Sequence, residues 1–105
     1  MKKGNIFANI PKTLNKELFE DILKTKNLRI ERIVSDGHSS YKGFWYDQLE
    51  NELIFLIQGS SEIRFEDETV ILKKGDWILI PSHKKHRVES ADKNQKTIWI
   101  TIFYN

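Results

Sequence analysis

The sequence predicts an all-β domain, a double-sheet barrel with one short N-terminal helix. From Leu28 onward, short apolar runs alternate with polar turns roughly every ten residues, as in antiparallel sandwiches and barrels. Residues 13–25 differ, because their apolar side chains recur at helical spacing. A chain of 105 residues has room for one core. We therefore expect a single domain over 1–105, with an N-terminal extension over about 1–27 and the barrel over about 28–105.

The predicted helix over 13–25 is short and amphipathic. Thr13 or Asn15 would cap its start and Lys24 lies near its end, in keeping with the helix dipole. Its apolar face would pack against the barrel and consists of Leu14, Leu18, Phe19, Ile22 and Leu23.

The strands are predicted from apolar runs and from the turns that separate them. The run 52–58 is apolar at nearly every position, so we expect a central strand that is buried on both faces. Residues 62–66 alternate between charged and apolar side chains, which indicates a half-exposed strand. The other predicted strands lie at 28–33, 44–46, 69–72, 77–80, 86–89 and 97–103.

The composition excludes several classes of function. Because the chain has no cysteine, it cannot carry a disulfide, a thiolate zinc site or a cysteine nucleophile. The net charge of +2 is small and the only basic cluster is local, at 83–87, so we expect no nucleic-acid partner. No segment has the length of a membrane span, and polar residues interrupt the N-terminus before a signal peptide could form. We expect a cytoplasmic protein without a membrane partner.

The turns carry a resemblance to a known family. Glu52 is followed after six residues by Gly59, and Gly75 is followed after five residues by Pro81 and then by His86. Their order and spacing, with fifteen residues between the two glycines, resemble the two motifs of the cupins. The stretch Trp-Tyr-Asp-Gln at 45–48 resembles a subset of small, single-domain bacterial cupins.

The resemblance implies a jelly-roll barrel, often a homodimer, that holds one divalent metal (iron, manganese, nickel or zinc) in its mouth. In the family, two histidines and a glutamate from the first motif and one histidine from the second bind the metal. Here Glu52 and His86 match that pattern, whereas Tyr46 and Gln48 stand where the two histidines are expected. His83 stands where the second motif usually has glycine.

The candidate site residues follow from these matches and departures. Glu52 and His86 are candidate metal ligands, and His83, Gln48 or Asp47 could complete the set. The candidate lining of a ligand pocket is Tyr46, Asp47 and Trp45. His83 could equally be a surface residue, and Gln48 with Tyr46 could bind a ligand by hydrogen bonds without any metal.

Three functions stay open at this point. The domain could be a metal-binding cupin that also takes a small polar molecule. It could instead be a metal-free, non-catalytic module for a small ligand, or a dimeric structural protein with a vestigial pocket. The fold does not choose among them or decide whether the protein is an enzyme, because cupins serve as enzymes, storage proteins and sensors.

Overall fold

The computed structural model describes residues 1–105 and contains eight strands and no helix. It therefore has no helix that could cross a membrane. The strands are β1 (Leu18–Lys24), β2 (Leu28–Ser35), β3 (Asn51–Gln58), β4 (Ser60–Phe65), β5 (Thr69–Lys73), β6 (Trp77–Ile80), β7 (His86–Ala91) and β8 (Thr97–Tyr104).

The strands form two antiparallel sheets that pack face to face. The five-stranded sheet has the order β1-β2-β8-β3-β6, and the three-stranded sheet has the order β5-β4-β7. Side chains from both inner faces build one apolar cluster of Ile54, Leu56, Ile63, Phe65, Leu72, Ile80 and Trp99. The predicted all-β, double-sheet architecture is confirmed.

The predicted N-terminal helix is wrong, because most of its residues form the edge strand β1. Leu18 pairs with Val34 and Glu20 with Arg32, so β1 extends the five-stranded sheet beyond β2. The buried guanidinium of Arg32 holds the Glu20 carboxylate and the main-chain oxygens of Ile6 and Ala8. This strand pairing is more stable than a short helix would be, because the sequence supports that helix only through its local pattern. The sheet consequently begins at Leu18, inside the segment expected to be an extension.

The predicted strand at 44–46 is also absent. Residues 36–50 form a long loop between β2 and β3, and its only ladder contact is an isolated bridge between Tyr46 and His86. Both main-chain hydrogen bonds of that bridge are made, at 2.7 and 3.1 Å. Residues 44–46 are thus hydrogen-bonded to the first residue of β7 at one position, but they do not form a strand.

Strand β3 is central, as predicted, but only one of its faces is buried. Glu52, Ile54 and Leu56 point inward, whereas Leu53 and Phe55 are half-exposed on the outer face. No second layer of this chain covers the outer face at β3, so its apolar side chains remain accessible.

The two motif glycines occupy turns that require left-handed backbone. Gly59 has φ of 86° where β3 passes into β4, and a Cβ there would lie 2.6 Å from Thr97 Oγ1. Gly75 has φ of 92° in the turn before β6. Glycine is the residue that adopts this conformation without strain, which explains the spacing seen in the sequence.

Candidate functional site

A pocket of about 230 Å³ lies between the two sheets, at the end of the interior that the apolar cluster leaves free. Eight of its fifteen lining residues are hydrophobic. Phe19 of β1 lines it and is 54% exposed, so the pocket reaches solvent on the β1 side. The other seven are polar or charged, namely Glu17, Arg29, Glu31, Gln48, Glu52, His86 and Thr101, and Tyr46 adds a phenol hydroxyl to the aromatic lining.

Glu52 and His86 form an ion pair in this pocket. His86 Nε2 lies 3.2 Å from Glu52 Oε1, and both side chains are more than nine-tenths buried. The Gln48 amide donates a hydrogen bond of 3.0 Å to the same carboxylate oxygen. Three of the predicted site residues are therefore brought together, from the β2–β3 loop, β3 and β7.

The second ring nitrogen of His86 also faces an acceptor. Nδ1 lies 2.9 Å from the main-chain oxygen of Lys84, so the protonated ring satisfies both nitrogens at once. Burial lowers the pKa of His86, but the hydrogen bonds to Glu52 and to the Lys84 oxygen outweigh it, and the pKa is raised overall. The raised pKa favours the charged form of His86, which would pair with the Glu52 carboxylate.

Tyr46 covers the ion pair from the loop side. Its ring stacks on His86 with centroids 5.3 Å apart and planes 23° apart. Burial, followed by the charges of Glu17 and Glu52, raises the pKa of the Tyr46 phenol. Tyr46 and Gln48 thus face the pocket together, as their spacing predicts, although no strand carries them.

The structure does not bring His83 to this group. Its Nδ1 contacts Asp47 Oδ1 at 2.7 Å, and both side chains are exposed. The backbone of His83 has φ of 62°, the left-handed conformation of the glycine that usually stands at this position of the motif. His83 therefore occupies a glycine-type turn with its side chain on the surface, where it ties the turn to the β2–β3 loop. Asp47 and the half-buried Trp45 do not line the pocket.

The donor set does not fit a resident transition metal. No three histidine, aspartate or glutamate side chains are close enough to hold a metal ion. Glu52 and His86 are the only matched ligands in the pocket, and each already satisfies the other. A site for iron, manganese, nickel or zinc normally gathers three or more such donors.

Four polar residues of the pocket were not predicted from the sequence. Glu17, Arg29, Glu31 and Thr101 all line it. Arg29 Nη2 binds Glu50 at 2.9 Å, its Nη1 binds Glu31, and its guanidinium lies 3.9 Å from the centroid of the Phe103 ring. Burial, against the opposing charge of Arg29, raises the pKa of Glu31. Arg29, Glu31 and Thr101 reach the site through the pairing of β2 with β8, and Glu17 reaches it from the residue before β1. No local sequence motif indicates either placement.

Thr101 is the most informative of these residues. It is 1% exposed and faces the pocket from β8, between Glu31 of β2 and Ile54 of β3. Its hydroxyl is the only buried side-chain polar atom of the chain without a hydrogen-bond partner. Buried polar groups are nearly always bonded, so this hydroxyl is available for a hydrogen bond with water or with a ligand in the pocket.

Comparison with known proteins identifies the family. The model of the cupin domain matches residues 37–103, which is more than half of the chain. The chain belongs to the cupin family. This cupin is similar, with 36% identity and a TM-score of 0.97, to a putative mannose-6-phosphate isomerase from Ralstonia eutropha JMP134. That alignment covers 100% of this chain and 99% of the other.

More distant structures share the fold. A cupin superfamily protein from Desulfitobacterium hafniense DCB-2 has 23% identity and a TM-score of 0.76, over 90% of this chain and 83% of its own. A protein of unknown function from Rhizobium leguminosarum has 14% identity and a TM-score of 0.76, over 99% and 96%. No functionally curated protein matches this cupin. Membership of the narrower Trp-Tyr-Asp-Gln subset stays a prediction.

Proposed function

We propose that this cupin binds one small polar organic molecule in the pocket, through protein side chains and without a metal. The observation that carries the proposal is the unpartnered hydroxyl of Thr101, which faces a pocket of about 230 Å³. Pockets for drug-sized ligands start at roughly 300 Å³, so this one suits a smaller molecule. The Glu52–His86 pair would form its polar end and the aromatic side chains its apolar walls.

A sugar phosphate fits this pocket poorly. The R. eutropha relative is a putative mannose-6-phosphate isomerase. A phosphate needs an unpaired cation or a set of free amide groups. Arg29 is occupied by Glu31 and Glu50, and His86 by Glu52. We therefore do not extend that substrate to this cupin.

A divalent metal at Glu52 and His86 is the competing proposal, supported by the closeness of these two donors. It would require their 3.2 Å contact to open and solvent or ligand to supply the remaining donors. Metal analysis of the protein, purified without a histidine tag, tests it beside Glu52→Gln and His86→Ala. We expect no stoichiometric metal in any of the three proteins. One metal per chain that is lost in both variants would replace our proposal with the competing one.

A thermal-shift screen of small amines, polyols and carboxylic acids tests ligand binding itself. A molecule that binds only the folded state raises the melting temperature by an amount that grows with the logarithm of its concentration relative to its Kd. We expect at least one compound to do so, and its affinity to fall about five- to tenfold in Thr101→Val, the size of one lost hydrogen bond. Thr69→Val removes an exposed hydroxyl from β5 and should change nothing. Hits that bind Thr101→Val unchanged would contradict the role of this hydroxyl.

We also propose that the chain forms a homodimer through the outer face of the five-stranded sheet. Trp77 is 61% and Leu79 49% exposed there, on the edge strand β6. No charged side chain points outward from β3, β6 or β8 around them, so a second copy could pack on the same face without like-charge repulsion. The outward apolar residues are Leu53, Phe55, Trp77, Leu79, Ile100 and Ile102.

Sedimentation velocity checks the homodimer. We expect the native protein to sediment as a dimer at micromolar concentration and Leu79→Glu as a monomer, because a charge would be buried in the interface. Ile71→Glu is the matched control, since Ile71 is an equally exposed apolar residue on the other sheet. A monomeric native protein would exclude this proposal, and dissociation by both substitutions would argue against the chosen face.

A further inference from the structure

The pocket wall carries more negative than positive charge. Two basic side chains, Arg29 and His86, lie among five carboxylates. Three of these carboxylates, Glu17, Glu31 and Glu52, line the pocket. Glu50 shares Arg29 with Glu31, and the exposed Asp21 stands beside Glu31 on the edge strand β1.

Both basic side chains are already neutralised. The Arg29 guanidinium is shared between Glu31 and Glu50 and lies over the Phe103 ring. The His86 imidazolium faces Glu52. Neither positive charge is therefore free to hold an anionic ligand, because breaking either pair would leave a carboxylate buried without a partner.

Glu17 has no basic partner. Its carboxylate accepts a hydrogen bond of 2.6 Å from the hydroxyl of Ser35, which is itself buried beside the Trp99 indole nitrogen. The negative field extends across the pocket, since Glu17 and Glu52 both contribute to the raised pKa of the Tyr46 phenol.

Two carboxylates also stand opposite each other on β1 and β2. Asp21 stands directly opposite Glu31 in the antiparallel register. Like charges at directly opposed positions destabilise a sheet. Arg29 offsets the charge of Glu31, and solvent screens the exposed Asp21, so the two carboxylates add a modest negative charge at this end of the pocket.

The apolar part of the wall is suited to the same kind of ligand. Phe19, Tyr46, Trp99 and Phe103 all line the pocket. Aromatic faces attract organic cations, by about 0.5–2 kcal/mol for each well-placed ring. One face of Phe103 is already in contact with the Arg29 guanidinium and one face of Tyr46 with the His86 ring. Phe19 and Trp99, together with the carboxylate of Glu17, are therefore the surroundings that an ammonium group would meet.

We infer that the pocket selects a small organic cation, an ammonium group on a short hydroxylated or apolar skeleton. The inference rests on the proposed function, that the pocket takes a small organic molecule directly. Glu17 would face the positive charge, the aromatic rings would enclose the carbon skeleton, and the Thr101 hydroxyl would bond a polar atom of the ligand. An ammonium group needs no fixed set of three metal donors, in agreement with their absence.

Three probes of nearly equal shape and different charge test the inference. Choline is the cation, 3,3-dimethylbutan-1-ol its neutral analogue, and 3,3-dimethylbutanoate its anionic analogue. Calorimetric titrations at low ionic strength measure the affinity of each. We expect choline to bind at least tenfold more tightly than the alcohol, and the carboxylate to show no binding.

Charge variants of the protein complete the experiment. Glu17→Gln should weaken choline binding three- to tenfold and leave the affinity for the alcohol unchanged. Glu68→Gln removes the same charge from an exposed turn outside the pocket and should change neither affinity. Equal loss in both variants would overturn the inference, because it would show only an effect of net charge.

The outcomes separate the inference from the proposed function. If the alcohol or the carboxylate binds as tightly as choline, the inference is wrong and the small-molecule pocket stands. If none of the three probes binds, the inference is also wrong, and the thermal-shift screen decides the proposed function independently. Tight binding of zinc chloride that Glu52→Gln abolishes would overturn both.

Discussion

The space between the two sheets has two halves with opposite chemistry. One half is filled by the apolar cluster, in which Leu56 and Ile63 are each 1% exposed. The other half is the pocket, where buried polar groups such as Glu52, His86 and Thr101 meet. Strand β3 contributes to both, because Glu52 precedes Ile54 and Leu56 on the same inward face.

Side-chain packing explains the residues of the apolar half but not the polar residues of the pocket. The apolar half follows from inward-facing positions filled with large side chains, which the folded state requires. The polar half contains a buried pair of ionisable groups, whose desolvation offsets much of their mutual attraction, and an unpartnered hydroxyl, so packing does not account for either. The difference indicates that the first half holds the fold together and the second is kept for binding.

The largest expected effect is in the apolar half. Leu56→Ala should lower the free energy of unfolding by about 3 kcal/mol, the usual cost of lost burial together with the resulting cavity. Urea denaturation followed by tryptophan fluorescence measures it. A loss below about 1 kcal/mol would mean that the cluster is loosely packed, and the contrast between the halves would weaken.

A smaller effect is expected at the ion pair, and it depends on pH. The raised pKa of His86 in the folded state means that its contribution is complete below the ordinary imidazole pKa of about 6.5 and is lost as the pH rises through the folded value. Glu52→Gln removes the partner that raises this pKa. It should therefore destabilise the protein by about 2 kcal/mol at pH 5.5 and by less at pH 8.5.

Denaturation at several pH values, with NMR titration of the His86 ring protons, checks this prediction. The His86 pKa should fall in Glu52→Gln. A cost that is the same at both pH values would contradict the charged state assigned to the pair.

The smallest expected effects on stability are at two threonines of β8, and they have opposite signs. Both face inward and are almost fully buried, but Thr97 donates a hydrogen bond of 3.3 Å to the Ser60 oxygen, and Thr101 has no partner. Thr97→Val should lower the free energy of unfolding by about 1 kcal/mol, and Thr101→Val should raise it by a similar amount without ligand. Melting curves of the two variants compare them directly. Destabilisation by Thr101→Val would mean that its hydroxyl is satisfied within the fold.

The sequence predicts the architecture well where the strand period is regular. The strands from β3 to β8 were placed to within a few residues, because their turns are marked by Gly59, Gly75 and Pro81. Residues 13–25 were mistaken for a helix, because an edge strand with a bulge has no strict alternation, and its partner β2 lies outside the local pattern. In a segment this short, strand pairing is more stable than the helix that the spacing of its apolar residues indicates.

Only the site residues that stand at motif positions were predicted from the sequence. Glu52, His86, Gln48 and Tyr46 came from motif positions, whereas Arg29, Glu31 and Thr101 did not. One signal in β2 was present: Ile30 and Ile33 are three residues apart and cannot share a face of a regular strand. Such a break in phase indicates that one face mixes charged and apolar residues. The partners of those charges depend on register across three strands, which a single sequence does not give.

The most direct test of the account is an NMR screen of several hundred small polar compounds against the ¹⁵N-labelled protein. A ligand site in the polar half predicts hits whose chemical-shift changes concentrate on Gln48, His86 and Thr101, with no change at Leu72 of the apolar half. It also predicts that Thr101→Val weakens these hits. A screen without hits, or hits confined to the outer face around Trp77, would contradict the claim that the polar half of the interior is a ligand site.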